Sequence, residues 1–295
     1  MDFSKLSEEE KLHEVKRIQV ELEKLNRLPA APEIVYHYTN FNKFISIIGS
    51  KSFWLSDASM MNDSHEIIWI DRLIYKVAQE KVTSENKERL NNLLQAVKSS
   101  RAKAYIFCFS EKRDLLSQWR GYTDDAAGIS VGFSTKAFGL DVRMPVTSFN
   151  LVNNKSLACC YYDESEIIMK IEAIIDSYLS NTNSLAINYL VQLSYICKNH
   201  TFSSEKEWRM VYVPWIFKLQ DDSRDIMDLN ADIKFRSNGN DLIEYSEHEL
   251  EISSELIPEI VLGPKCSVDI DTLEYFLVKN NLKNTEIRKS DSTYR

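Results

Sequence analysis

Glu205, Glu207 and Arg209 alternate within Phe202–Tyr212, and as a β-strand that stretch puts the three on one face while Trp208, Met210 and Tyr212 fill the other. Two carboxylates beside a guanidinium can hold a cation, polarise a hydroxyl or shift a pKa. The competing reading is an exposed strand with cross-strand ion pairs, each contributing ~0.2–1 kcal/mol. A second polar strand lies far upstream at Ile34–Thr39, where His37 and Thr39 share a face. Strands with polar fronts and apolar backs are stable when those fronts share a solvated cleft, so His37, Thr39, Glu205 and Glu207 are expected to line one concave site. On the same reasoning Trp208 belongs to the core and Arg209 faces the site.

The elements that must position these residues follow from periodicity. Ser7-x-x-Glu10 reads as a capping box, after which Leu12, Val15, Ile18, Leu22 and Leu25 recur at helical spacing until Pro29 and Pro32. This leading helix, within 1–30, offers one apolar stripe, either to the domain that follows or to a second copy in a homodimer. A short helix is expected over Phe41–Ile48 with Gly49 as its C-cap, and a short strand at Ser52–Ser56. Asn62, Asp63 and Glu66 serve either as a helix cap or as site residues. Helices follow over about 67–77 and 85–97. Tyr105–Ser110 and Gly128–Phe133 read as core strands flanking a short helix or turn at Leu115–Tyr122, and 163–200 reads as a helix pair broken near Asn181–Asn183. Strands near 233–235, 242–245, 257–264 and 285–288, with a helix at about 270–279, complete the chain. Clustered strands without regular βαβ alternation predict an α+β fold, one domain over 31–295 with helical insertions at about 64–100 and 163–200.

Composition sets outer bounds. With 295 residues the chain can bury a substantial core. Its net charge of −8, with basic and acidic residues interleaved, gives no extended surface for duplex nucleic acid, though a local nucleotide pocket stays open. There are 7 glycines and no GxGxxG or GxxxxGK[ST] motif. Five cysteines without a CxxC pair read as reduced thiols, and no apolar run approaches membrane-spanning length, so a soluble cytoplasmic protein is expected. His37, Asp63, His65, Glu66 and His200 could each ligate a metal, but no HExxH or short ligand spacing joins them, and no metal requirement is expected. A carboxylate-bound magnesium, as in a nuclease, is the alternative.

Several motifs together resemble the bacterial domain-of-unknown-function family 2971. In order these are His37-Tyr38-Thr39, Trp54-Leu55-Ser56, Asn62-Asp63-x-x-Glu66, Cys108-Phe109-Ser110, Ser117-x-Trp119-x-x-Tyr122, Gly128-x-x-Val131-Gly132-Phe133, Glu205-x-Glu207-Trp208-Arg209 and Glu259–Pro264. The likeness covers roughly 34–295 and implies no activity. A further similarity is to ADP-ribosyltransferases of the DNA-modifying toxin type, where a strand bearing His-x-Thr precedes a distant catalytic glutamate. That similarity implies a mixed or antiparallel sheet and NAD as substrate, with transfer to a macromolecule in a toxin or phage-defence setting. It implies Glu207 as the catalytic carboxylate, with Glu205 and His37 completing the catalytic set. His37, Tyr38, Thr39, Trp54, Ser56, Tyr122 and Arg209 would hold the nucleotide. The chemistry suits these residue types: cleavage of the nicotinamide–ribose bond passes through a cationic sugar that a carboxylate stabilises. The alternative class is a nucleotide-binding sensor or interaction module without turnover.

Overall fold

The computed structural model describes residues 20, 24–60, 66–145, 155–181, 185–214, 216–218, 226–228, 233–239 and 241–294. Most of the expected leading helix, and with it the homodimer stripe, lies outside the described residues, as do Asn62, Asp63 and His65.

Apolar residues at every second position make the central strands, and one antiparallel pair organises the rest. β3 (Tyr105–Ser110) runs beside β6 (Glu207–Tyr212) along its whole length, with Cys108 opposite Arg209 and Ser110 opposite Glu207. On its other side β3 is shared by two strands. β2 (Ser52–Asp57) pairs with Tyr105 and Ile106, and β1 (Ile34–Thr39) meets it at Ser110, so the sheet forks at the intervening residues. One arm continues from β1 through β4 (Ile129–Ser134) and β11 (Glu259–Leu262) to β12 (Glu286–Lys289), and the other from β2 through β10 (Asp241–Glu249) to β9 (Ile233–Asn238). β5 (Lys155–Cys159), a strand that the sequence pattern does not flag, pairs with the free edge of β6. The short pair β7 (Ile216–Lys218) and β8 (Ile226–Asp228) stands apart. Within the ten-stranded sheet the pairing is antiparallel except β11 with β12, and the fold is mixed α+β as the sequence implies.

The two faces of this sheet bury different residues. On the back, Phe53, Phe107, Phe109, Phe133 and Phe138 form an aromatic cluster, with Phe53 stacked on Phe107 at 4.3 Å between centroids. Trp208 and Met210 join it beneath α1 (Phe41–Ser50) and α7 (Ile270–Lys279). Such ring pairs add ~0.5–1.5 kcal/mol each beyond area burial. On the front, α2 (Glu66–Glu80), α3 (Lys87–Ser100), α5 (Glu164–Asn181) and α6 (Leu185–Ile196) bury Ile106, Ala158 and Val211. The short α4 (Leu116–Tyr122) lays Trp119 on Tyr36, Tyr38 and Val261.

Gly49 lies inside α1 rather than ending it. The helix runs to Ser50 and the left-handed capping position falls to Lys51, at φ 52°. Gly128 has a different necessity: a Cβ there would stand 2.3 Å from the Thr39 carbonyl oxygen, so β4 approaches β1 closely enough only without a side chain. Among the described residues no helix is long and apolar enough to cross a membrane.

Candidate functional site

β6 begins at Glu207, two residues later than Glu205. Residues His200–Glu205 form a 3-10 turn and Lys206 takes a left-handed φ of 46°, so strand alternation does not align Glu205 with Glu207 as the sequence pattern suggests. Lys198 brings the two together instead. Its Nζ donates to Glu205 Oε2 at 2.6 Å and to Glu207 Oε2 at 3.0 Å. Arg209 Nε donates to Glu207 Oε1 at 2.9 Å, and another guanidinium nitrogen reaches the Tyr195 carbonyl on α6 at 2.9 Å. The Tyr162 hydroxyl accepts from the Glu207 amide at 2.9 Å.

Burial by itself would raise the pKa of Glu207, but the charges of Arg209 and Lys198 overcome it and hold the carboxyl down at about 2. The Cys108 thiol, beside it on β3, bonds to Glu207 and is pushed well up by burial and by that negative charge, which leaves it protonated and poorly nucleophilic. Tyr122 stands at the mouth of this cluster, 40 % exposed. Burial of its hydroxyl, then the nearby Glu205 carboxylate, raise it to about 12. The arrangement is a locked inner carboxylate, a largely buried outer one and an accessible aromatic ring. Among the described residues, no three His, Cys, Asp or Glu side chains gather as a metal-holding group.

The other expected residues go elsewhere. His37 and Thr39 lie on the back of the sheet, because β1 meets β3 with Tyr36 opposite Ser110 and thereby puts Tyr36 and Tyr38 on the front with Glu207. His37 fills the fork: Nδ1 lies 2.9 Å from the Cys108 carbonyl oxygen, exposed where β1 and β2 part, and its ring packs on Phe107 at 4.3 Å. A carbonyl only accepts, so Nδ1 carries the proton and the ring is neutral, in keeping with a pKa that burial lowers to about 4. Thr39 is fully buried beside Gly128. The expected shared cleft of His37, Thr39 and the glutamates is therefore corrected: a one-residue offset in register decides the face.

Arg209 is also corrected, since it is 2 % exposed and braces Glu207 rather than facing solvent. Tyr38 is no stacking platform: its hydroxyl donates to the Lys112 carbonyl at 2.6 Å and its ring meets Trp119 edge-on. Trp54 already stacks on Tyr245 at 4.6 Å, and Ser56 Oγ accepts from Arg236 at 3.1 Å, both on the β2 arm. Glu66 opens α2, and its side chain lies outside the described residues. Sequence reasoning missed Lys198, whose only signal is its place seven residues before Glu205. It also missed a second front-face group, where the Tyr36 hydroxyl donates to Glu259 at 2.5 Å and Arg288 Nε donates to the same carboxylate at 2.9 Å.

Residues 118–210, about a third of the chain, match the family model described as "Protein of unknown function (DUF2971)". The matched span runs from α4 through β6 and so carries Tyr122, Lys198, Glu205, Glu207 and Arg209. No curated protein and no solved structure matches the chain.

Proposed function

We propose that the front-face cluster is the reaction centre of an ADP-ribosyl-transfer enzyme that consumes NAD and modifies a macromolecule, in a toxin or phage-defence role. One observation carries this reading: an accessible ring, Tyr122, stands beside Glu205, while the inner carboxylate Glu207 is fixed by Arg209 and shares Lys198 with it. In this reading the roles expected of the two glutamates exchange. Glu205, at the mouth, is the catalytic carboxylate that faces the ribose as positive charge develops on its anomeric carbon. Glu207 is a positioning residue that acts through Lys198. Tyr122 offers its ring to the nicotinamide. The bond from the anomeric carbon to nicotinamide breaks with the electron pair leaving on nicotinamide. A nucleophilic atom of the acceptor supplies the new bond and yields its proton to Glu205. His37 and Thr39 take no part.

The test is nicotinamide release from NAD, with transfer of label to a host-cell extract. Glu205→Gln should reduce both on the order of 100–1000-fold, the usual loss for one preorganised electrostatic group, with little change in melting. Wild-type protein that releases no nicotinamide and labels nothing refutes the reading. A second reading, a nucleotide sensor without turnover, is favoured by the saturation of Glu207 with two cations. It requires nucleotide binding without nicotinamide release.

A further inference from the structure

Beside the cluster, the loop after β3 and the residue before β6 are tied together: the Glu111 amide donates to the Lys206 carbonyl at 2.9 Å, and Ser110 Oγ donates to the Glu205 carbonyl at 2.6 Å. This places Lys112, Arg113 and Lys206 around one end of the β3–β6 pair, and all three are exposed. Among the described residues none of the three makes an ion pair. Arg113 is near enough to act electrostatically on Tyr36 and Asp114, and Lys206 directly follows Glu205 in the chain.

Several carboxylates of the same region are engaged by hydrogen bonds or ion pairs. Glu111 accepts from Trp208 Nε1 at 2.8 Å, and Asp114 accepts from Trp119 Nε1 at 2.5 Å, Ser290 Oγ at 2.6 Å and the Asp291 amide at 2.7 Å. Glu205 and Glu207 are held by Lys198 and Arg209, and Glu259 by Tyr36 and Arg288. The exposed charges at this end of the strand pair are then three cations without an ion-pair partner among the described residues, beside the exposed Glu111 and Asp291, in a chain of net charge −8. Like charges gathered by these two ties repel one another, and a bound phosphate would relieve that repulsion.

We propose that Lys112, Arg113 and Lys206 form a phosphate-binding rim for a nucleotide ligand whose base or nicotinamide ring lies on Tyr122. The rim shares its place with the reaction centre proposed above but needs no turnover. Two sources of phosphate fit, the pyrophosphate of a dinucleotide and the backbone of a single strand, and the experiment separates them.

Binding of NAD is measured by calorimetry, and binding of a short fluorescein-labelled single-stranded oligonucleotide by anisotropy. Wild type is compared with Lys112→Gln/Arg113→Gln/Lys206→Gln and with a control of equal charge change, Lys43→Gln/Lys51→Gln/Lys76→Gln, drawn from other exposed lysines. The rim variant should bind at least tenfold more weakly than the control, with melting unchanged in both. If the oligonucleotide is the ligand affected, its log K against log salt should have a slope near −2 for three phosphate contacts, flattened in the rim variant. A loss confined to NAD assigns the rim to the dinucleotide. Equal binding by rim variant and control, or no binding of either probe, overturns the proposal. Rim-dependent binding without nicotinamide release leaves the rim standing and removes the transferase reading; nicotinamide release with rim-independent binding does the reverse.

Discussion

Removing the guanidinium of Arg209 leaves Glu207 buried with Lys198 as its remaining close cation, and an incompletely compensated buried charge is costly. Arg209→Ala should therefore lower unfolding free energy by ~3–5 kcal/mol in urea titrations at neutral pH. The double variant with Glu207→Gln should recover part of that loss, because it removes the orphaned charge. This reverses what strand alternation suggests, namely an Arg209→Ala protein with near-normal melting. Trp208→Ala should also cost ~3–5 kcal/mol, since its ring is 1 % exposed among the back-face aromatics. Equal stability of wild type and Arg209→Ala would show that the brace is not formed.

Two glycines separate an element that tolerates a side chain from one that cannot. At Gly49 a Cβ would meet nothing within 4 Å, and the residue lies within α1. Gly49→Ala should stabilise the protein by ~0.5–1 kcal/mol through helix propensity and a less flexible unfolded chain. A C-capping glycine in the left-handed region would give the opposite sign. Gly128→Ala forces β4 away from β1 and should cost ~1–3 kcal/mol or more, as overpacking against backbone does. Thermal melts of the two variants check both signs, and Gly128→Ala melting at or above wild type would contradict the close β1–β4 approach.

Acid should weaken the whole molecule in two stages. His37 and His248 are each lowered by burial to about 4 in the folded state, below the ordinary 6.5, so the unfolded chain binds more protons between those values. Their contribution is intact above about pH 6.5 and is lost as pH falls toward 4. Glu207, held at about 2 against an ordinary 4.5, contributes fully above about pH 4.5 and loses its share between there and pH 2. Melting temperature followed from pH 8 to 3 should fall in both windows. His37→Phe should reduce the fall in the upper one, leaving the share of His248, and Glu207→Gln should flatten the lower; an unchanged profile in both variants would refute these assignments. Most elements were legible in the residue pattern alone: β1, β2, β3 and β4, the broken helix pair, α7 and β12 follow from period, caps and turn residues. Alternation within Glu207–Tyr212 also marked Trp208 as core, because that signal is local. The residue pattern could not show β5, whose Lys155–Cys159 stretch carries no clear alternation. Nor could it show which face each polar residue takes. His37 and Arg209 changed roles because the β1–β3 register, set by long-range packing across the fork, places His37 behind the sheet, while α6 covers the front where Arg209 points. Lys198 joins the glutamates only through the 3-10 turn that folds Glu205 back, a contact that spacing alone does not encode.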